Sequence, residues 1–211
     1  VWLLAALPML LVAGLDDLSN LTDLLVLSLF MPPEALGPYF AAARTLALAG
    51  FVSYAATLVA GRRFALDLAG RDRGELQQSV SRSTGATLWA TVAAVAIAWA
   101  AGPLVLHLFG PEFAGAHDVM ILLGAGMIAK SASGQATELL VVAGRQRQAM
   151  VLGAVVLAVQ SALCVALVRV WGITGAAAGM AVGMAVRSAL LGWLVWRLER
   201  IRVWSVALPR L

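Results

Sequence analysis

Asp16, Asp17, Asn20 and Asp23 interrupt a run of leucine, valine and alanine near the start of the chain. Steps of four and three place Asp16, Asn20 and Asp23 on one face of a helix. Further along, equally apolar runs contain Arg44, then Lys130 with Gln135 and Glu138, then Gln160, then Arg187. An ionisable side chain in such a run is expensive in hydrocarbon, so each marks a candidate pathway or binding position. Lys130 and Arg187, set against one or two ionised aspartates, are arranged for an anion. The plainer reading is that these groups cross-link helices as polar glue. The adjacent Asp16 and Asp17 make a proton or sodium gradient the candidate coupling source, and no cofactor is implied.

The elements that position these residues follow from composition. Of 211 residues, 62% are hydrophobic and 12% charged, and the mean hydropathy is +0.91. A soluble domain needs roughly twice that share of charge to clothe its core, and disorder needs the opposite composition. The solvent is mostly lipid, where only helices or closed barrels satisfy their own backbone. Six stretches are long enough to span: about 2–30, closed by Met31-Pro32-Pro33; 35–60, stopping at Gly61-Arg62-Arg63; 84–109; 116–143; 148–170; and 173–196. Residues 62–83 read as a cytoplasmic loop and 197–211 as a cytoplasmic tail. The fold class is therefore all-α, an integral membrane six-helix bundle over 1–199.

Depth within each span predicts who meets whom. At about 1.5 Å per residue, Asp23 and Arg44 lie at matching depths of about 10 to 14 Å from the same end, which predicts an ion pair. Asp16, Asp17, Lys130 and Arg187 fall together near the midplane. Gly175, Gly179 and Gly183 form a small-residue ladder for close helix packing, whereas Gly124, Gly126 and Gly134 are candidates for loosening the fourth span.

The net charge of +4 is distributed, not patched. Eleven of the fifteen cations, Arg62, Arg63, Arg71, Arg73, Arg82, Arg145, Arg147, Arg197, Arg200, Arg202 and Arg210, fall after the second, fourth and sixth spans. Glu34, Glu112 and Asp118 hold the opposite loops. By the preference of basic residues for the cytoplasm, both ends of this segment are expected there, and anionic lipid is a secondary partner for the basic stretches. No basic, aromatic-rich surface for nucleic acid emerges. Enzyme signals are also missing: there is no phosphate loop or nucleophile triad, His107 and His117 are not at metal-ligand spacing, and Cys164 lacks an activating neighbour. The chain begins at Val1 without a charged leader, and is expected to be a piece of a longer protein.

The order of several short motifs resembles a known family. They are Asp23-Leu-Leu-Val-Leu-Ser-Leu-Phe; Leu36-Gly37-Pro38-Tyr39 with Ala43-Arg44; Leu108-Phe109-Gly110-Pro111-Glu112-Phe113; Gly144-Arg145-Gln146-Arg147; and Trp171-Gly172-Ile173-Thr174-Gly175-Ala176-Ala177. Together, over residues 1 to 199, they look like the C-terminal half of a polysaccharide biosynthesis membrane protein, the flippase family for lipid-linked O-antigen, exopolysaccharide or teichoic-acid units, similar in fold to multidrug exporters. The resemblance implies a two-bundle exporter of twelve or more helices in the bacterial cytoplasmic (inner) membrane, with an N-terminal bundle outside this sequence. It also implies a central cavity that accepts an undecaprenyl-pyrophosphate-linked oligosaccharide by alternating access, with Arg44, Lys130 and Arg187 facing its anionic part. A multidrug/cation antiporter of the same superfamily is the alternative, and would favour an acidic cavity; the candidates here are Asp16, Asp17, Asp23 and Glu138 against Arg44, Lys130 and Arg187. A membrane-embedded enzyme of the glycan pathway is a third reading, for which the outer loops are short.

Overall fold

The computed structural model describes residues 2–70 and 73–204. Arg71, Arg210 and the rest of the tail beyond 204 lie outside the described residues, as does the side chain of Glu112. The chain is an all-helical bundle: α1 (Trp2–Phe30), α2 (Pro33–Gly70), α3 (Arg73–Phe109), a 3-10 turn (Pro111–Ala116), α4 (His117–Ser131), α5 (Ala136–Val142) and α6 (Gln146–Glu199). Pro33–Leu68, Arg73–Phe109, His117–Val142 and Gln146–Glu199 are each long and apolar enough to cross a membrane, and α1 is a further long apolar helix. Leu29, Leu48, Leu58, Ile97, Leu104 and Val170 point outward, mostly bare. An outside this apolar is the build of a membrane protein.

Proline sets the first reversal. Pro32 cannot continue α1, and Pro33 opens α2, where its missing N–H is no loss. The second reversal differs from the expected loop over 62–83. α2 runs on to Gly70 and α3 begins at Arg73, so nearly the whole segment is helical. Its composition is polar, but Arg, Leu, Ala, Glu and Gln are good helix formers. Ala60 and Phe64 on α2, with Leu76 and Val80 on α3, repeat every four residues and are buried. They join Leu139, Leu140 and Val195 in one apolar cluster. Polarity marks an exposed helix face here, not a loop.

α6 contains the reversal expected between the spans 148–170 and 173–196. Gly172 has φ 59° and ψ −134°, outside helical values, a region glycine enters without Cβ strain. The chain folds into two antiparallel arms, Gln146 to Trp171 and Ile173 to Glu199. The glycine ladder is their seam. A Cβ at Gly175 would overlap the Leu167 carbonyl, one at Gly179 would sit 2.9 Å from Cys164 Cα, and one at Gly183 2.5 Å from Gln160 Cγ. The partners retreat along the first arm as the glycines advance along the second.

Helix direction and cross-contacts define two ends. Phe30 lies under Arg169 and Met31 near Gly172 at one end. Arg145 pairs with Glu199 at the other. The tail expected from 197 is structured there as far as described. α6 continues to Glu199, Arg200 turns the chain at φ 58°, and Ile201 and Val203 are buried. Gln77 brackets the Arg202 backbone, donating to its carbonyl and accepting from its N–H, each at 2.8 Å.

Candidate functional site

A cavity of about 790 Å³ opens inside the bundle, lined by α1, α2, α4, α5 and the second arm of α6, with Thr87 from α3. Eight of the nine candidate residues line it: Asp16, Asp17, Asn20, Asp23, Lys130, Gln135, Glu138 and Arg187. Asp16, Asn20 and Asp23 reach it because their spacing keeps them on one face of α1, and Asp17 reaches it from the adjoining face. Arg44 is the exception.

The midplane group meets as its depth predicts. The buried Arg187 guanidinium forms an ion pair with Asp16. Lys130 Nζ donates to Asn20 Oδ1 at 2.9 Å, and Asp17 and Glu138 lie near enough to act on its charge. Two cations thus stand among four acids, each held by contacts to another helix. Gln160 is absent from the cavity lining and is structural: its Nε2 donates to the Ser19 carbonyl at 2.6 Å and meets Met180 sulfur at 3.0 Å.

The expected Asp23–Arg44 pair does not form. Asp23 is buried and accepts a 2.5 Å hydrogen bond from the Tyr39 hydroxyl, itself fully buried. Arg44 is exposed, with its guanidinium 4.6 Å above the Phe40 ring. Depth matched but direction did not. Five residues separate Tyr39 from Arg44, a rotation of roughly 140° from Tyr39's side of the helix, whereas Phe40 and Arg44 are one turn apart and share a face.

Between α4 and α5 the helix breaks in the cavity wall. Ser131, Ser133, Gly134, Gln135, Thr137 and Glu138 all line the space. Gly134 has φ 53°, and a Cβ there would overlap the Thr84 side chain, so glycine is required twice over. Gln135 is clamped to α3: Ser83 Oγ donates to its Oε1 at 2.7 Å, its Nε2 donates to Thr87 Oγ1 at 3.0 Å, and Thr87 Oγ1 donates to the Ser83 carbonyl at 2.9 Å. Irregular backbone at such depth is tolerated where it lines a cavity. Of the three glycines expected to loosen this span, only Gly134 does so. Gly124 is packed, with a built Cβ 2.5 Å from Trp99 Nε1, and Gly126 likewise, 2.8 Å from Ala181 Cα.

Sequence reasoning missed Tyr39, Thr87, Ser131 and Ser133. Serine and threonine are routine in apolar helices and give no signal of their own. Tyr39, one of two tyrosines in the chain, had a sharper one, since a buried phenol needs a hydrogen-bond partner.

Chemically, the space offers a ligand both apolar contact and fixed charge. Its volume falls within the ordinary range of small-ligand sites. Its wall alternates apolar side chains such as Leu46, Leu123, Met127 and Met184 with fixed charges and amides. Among the described residues no group of three His, Cys, Asp or Glu side chains is placed to hold a metal ion. Compared with protein-family models, curated proteins and solved structures, the chain finds no match.

Proposed function

We propose that this chain is one membrane bundle of an alternating-access exporter that flips undecaprenyl-pyrophosphate-linked oligosaccharide units for O-antigen, exopolysaccharide or teichoic-acid assembly. The observation that carries the transporter reading is a cavity of about 790 Å³, walled by tethered charges inside an otherwise apolar bundle. Counting α4 with α5 as one interrupted span and the arms of α6 as two gives six crossings. A second, N-terminal bundle completes the cavity. The arginines at 62, 63, 73, 82, 145, 147, 197, 200 and 202 belong to the same end of the bundle, which supports a cytoplasmic placement of that end in the inner membrane. The choice of a lipid-linked glycan rests on the motif order, with Lys130 and Arg187 as the groups for its pyrophosphate.

One observation favours a second reading, a multidrug/cation antiporter. With Arg44 outside, the lining holds Asp16, Asp17, Asp23 and Glu138 against Lys130 and Arg187, an acidic balance suited to a cation.

Inverted vesicles containing the full-length protein separate the two. The flippase reading expects movement of a lipid-linked oligosaccharide that falls at least tenfold in Lys130→Gln and in the charge-neutral pair Asp16→Asn with Arg187→Gln, as loss of a charge-assisted contact requires. Unchanged movement in both variants sinks it. Efflux of a lipophilic cation that depends on Asp17 and Glu138 would establish the antiporter instead.

A further inference from the structure

The end of the bundle remote from Gly172 carries a surface that the cavity leaves unused. At the end of α6, Trp193 stands one turn before Arg197, and Trp196 stands one turn before Arg200, the residue that caps the helix. Both indoles are nearly half exposed, and both arginines are exposed. The Arg197 guanidinium stands 5.1 Å over the Trp193 ring, and that of Arg200 stands 5.5 Å over the Trp196 ring. Each cation thus stands within cation–π range of an indole.

Nothing on the same helix cancels these charges. Glu199 is the one carboxylate of α6, and Arg145 takes it at 3.2 Å. The turn at Arg200 adds a third indole. Ile201 and Val203 anchor the segment in the core, Gln77 fixes the Arg202 backbone, and Trp204 is set against Gly192, one turn from Trp196. Along the helix axis, Ala189 and Val182 continue the stripe of Trp193 at four and eleven residues, and both are exposed. A bare apolar stripe therefore ends in a collar of indoles carrying two guanidiniums.

We propose that this surface binds one anionic glycerophospholipid, its phosphate between Arg197 and Arg200, its glycerol level with the indoles and an acyl chain along Ala189 and Val182. The chemistry is complementary at each level. Indoles favour the interfacial layer, guanidiniums bind phosphate bidentately, and the stripe is as apolar as a lipid tail. The proposal holds whichever substrate the cavity takes.

The test is native mass spectrometry of the full-length protein released from mixed micelles of phosphatidylglycerol and phosphatidylcholine. The wild type is expected to retain phosphatidylglycerol in preference. That preference should fall about fivefold for each of Arg197→Gln and Arg200→Gln, and about threefold in Trp193→Leu with Trp196→Leu, which keeps both charges. Arg62→Gln with Arg63→Gln, which removes exposed cations from the same end, should leave it unchanged. An unaltered preference in either Arg197→Gln or Arg200→Gln overturns the proposal. So does an equal loss in the Arg62/Arg63 variant, which would assign the effect to bulk charge. An unaltered preference in the tryptophan variant overturns the ring-held site. Matching circular dichroism spectra establish that each variant is folded.

Discussion

Arg187 and Asp16 meet across 171 positions of sequence, one buried on the second arm of α6 and the other a third exposed to the cavity on α1. The contact ties the first helix to the last. Removing one partner leaves a charge in a site built for two, whereas removing both leaves neutral groups of similar shape. Arg187→Gln is therefore expected to cost about 3 kcal/mol of stability, and Asp16→Asn with Arg187→Gln to recover most of it. Unfolding in mixed detergent micelles measures both; strictly additive losses would refute the pairing.

The Tyr39–Asp23 contact makes a separate prediction. Tyr39→Phe removes the donor and leaves a buried carboxylate oxygen unpaired, at a cost of about 1–3 kcal/mol. Arg44→Gln should change stability by less than about 0.5 kcal/mol, because the side chain touches only an exposed ring on its own helix. The two variants, compared in the same denaturation series, reverse in order if Arg44 is the true partner of Asp23.

Two glycines should respond oppositely to alanine. Gly134→Ala forces a Cβ into a left-handed backbone and against Thr84, and is expected to destabilise by about 2 kcal/mol or more. Gly61→Ala meets nothing within 4 Å in the interior of α2 and should gain about 0.5–1 kcal/mol. Thermal unfolding in detergent ranks them, and a stabilised Gly134→Ala would remove the case for a required break.

Within the α6 seam the expected order is Gly175→Ala worse than Gly183→Ala. At Gly175 the new methyl meets the Leu167 backbone; at Gly183 it meets the Gln160 side chain, which can yield by changing rotamer at the expense of its hydrogen bond to Ser19. Overpacking against fixed atoms costs about 1–3 kcal/mol. Equal losses at both sites would mean that the arms shift as rigid bodies.

Much of this architecture is legible in the sequence. Apolar run lengths locate α1 and the α6 arms closely, and arithmetic along the axis brings Asp16, Lys130 and Arg187 to one level. Rotation was the weaker coordinate. A depth count is one-dimensional, so it matched Asp23 with Arg44 while the azimuth gave Asp23 to Tyr39. The segment 62–83 differs from its expected loop for another reason: its hydropathy reports the surroundings of a helix, whereas its residue types favour a helix continuing past the apolar run. The break after Ser131 had Gly134 as its only local signal, and the Ser83 and Thr87 hydroxyls that secure it lie some 50 positions away.

The seam between the arms of α6 also sets an order of assembly. Its closest contacts join Gly175 to Leu167 and Gly183 to Gln160, neighbours in sequence that backbone shape alone brings together. Such a pair closes its loop at little entropic expense and can enter the bilayer as a preformed hairpin while other contacts are still missing. The Asp16–Arg187 tie is of the opposite kind. It waits until the second arm of α6 has been made, so Asp16 stays without its partner while α2 to α5 are added.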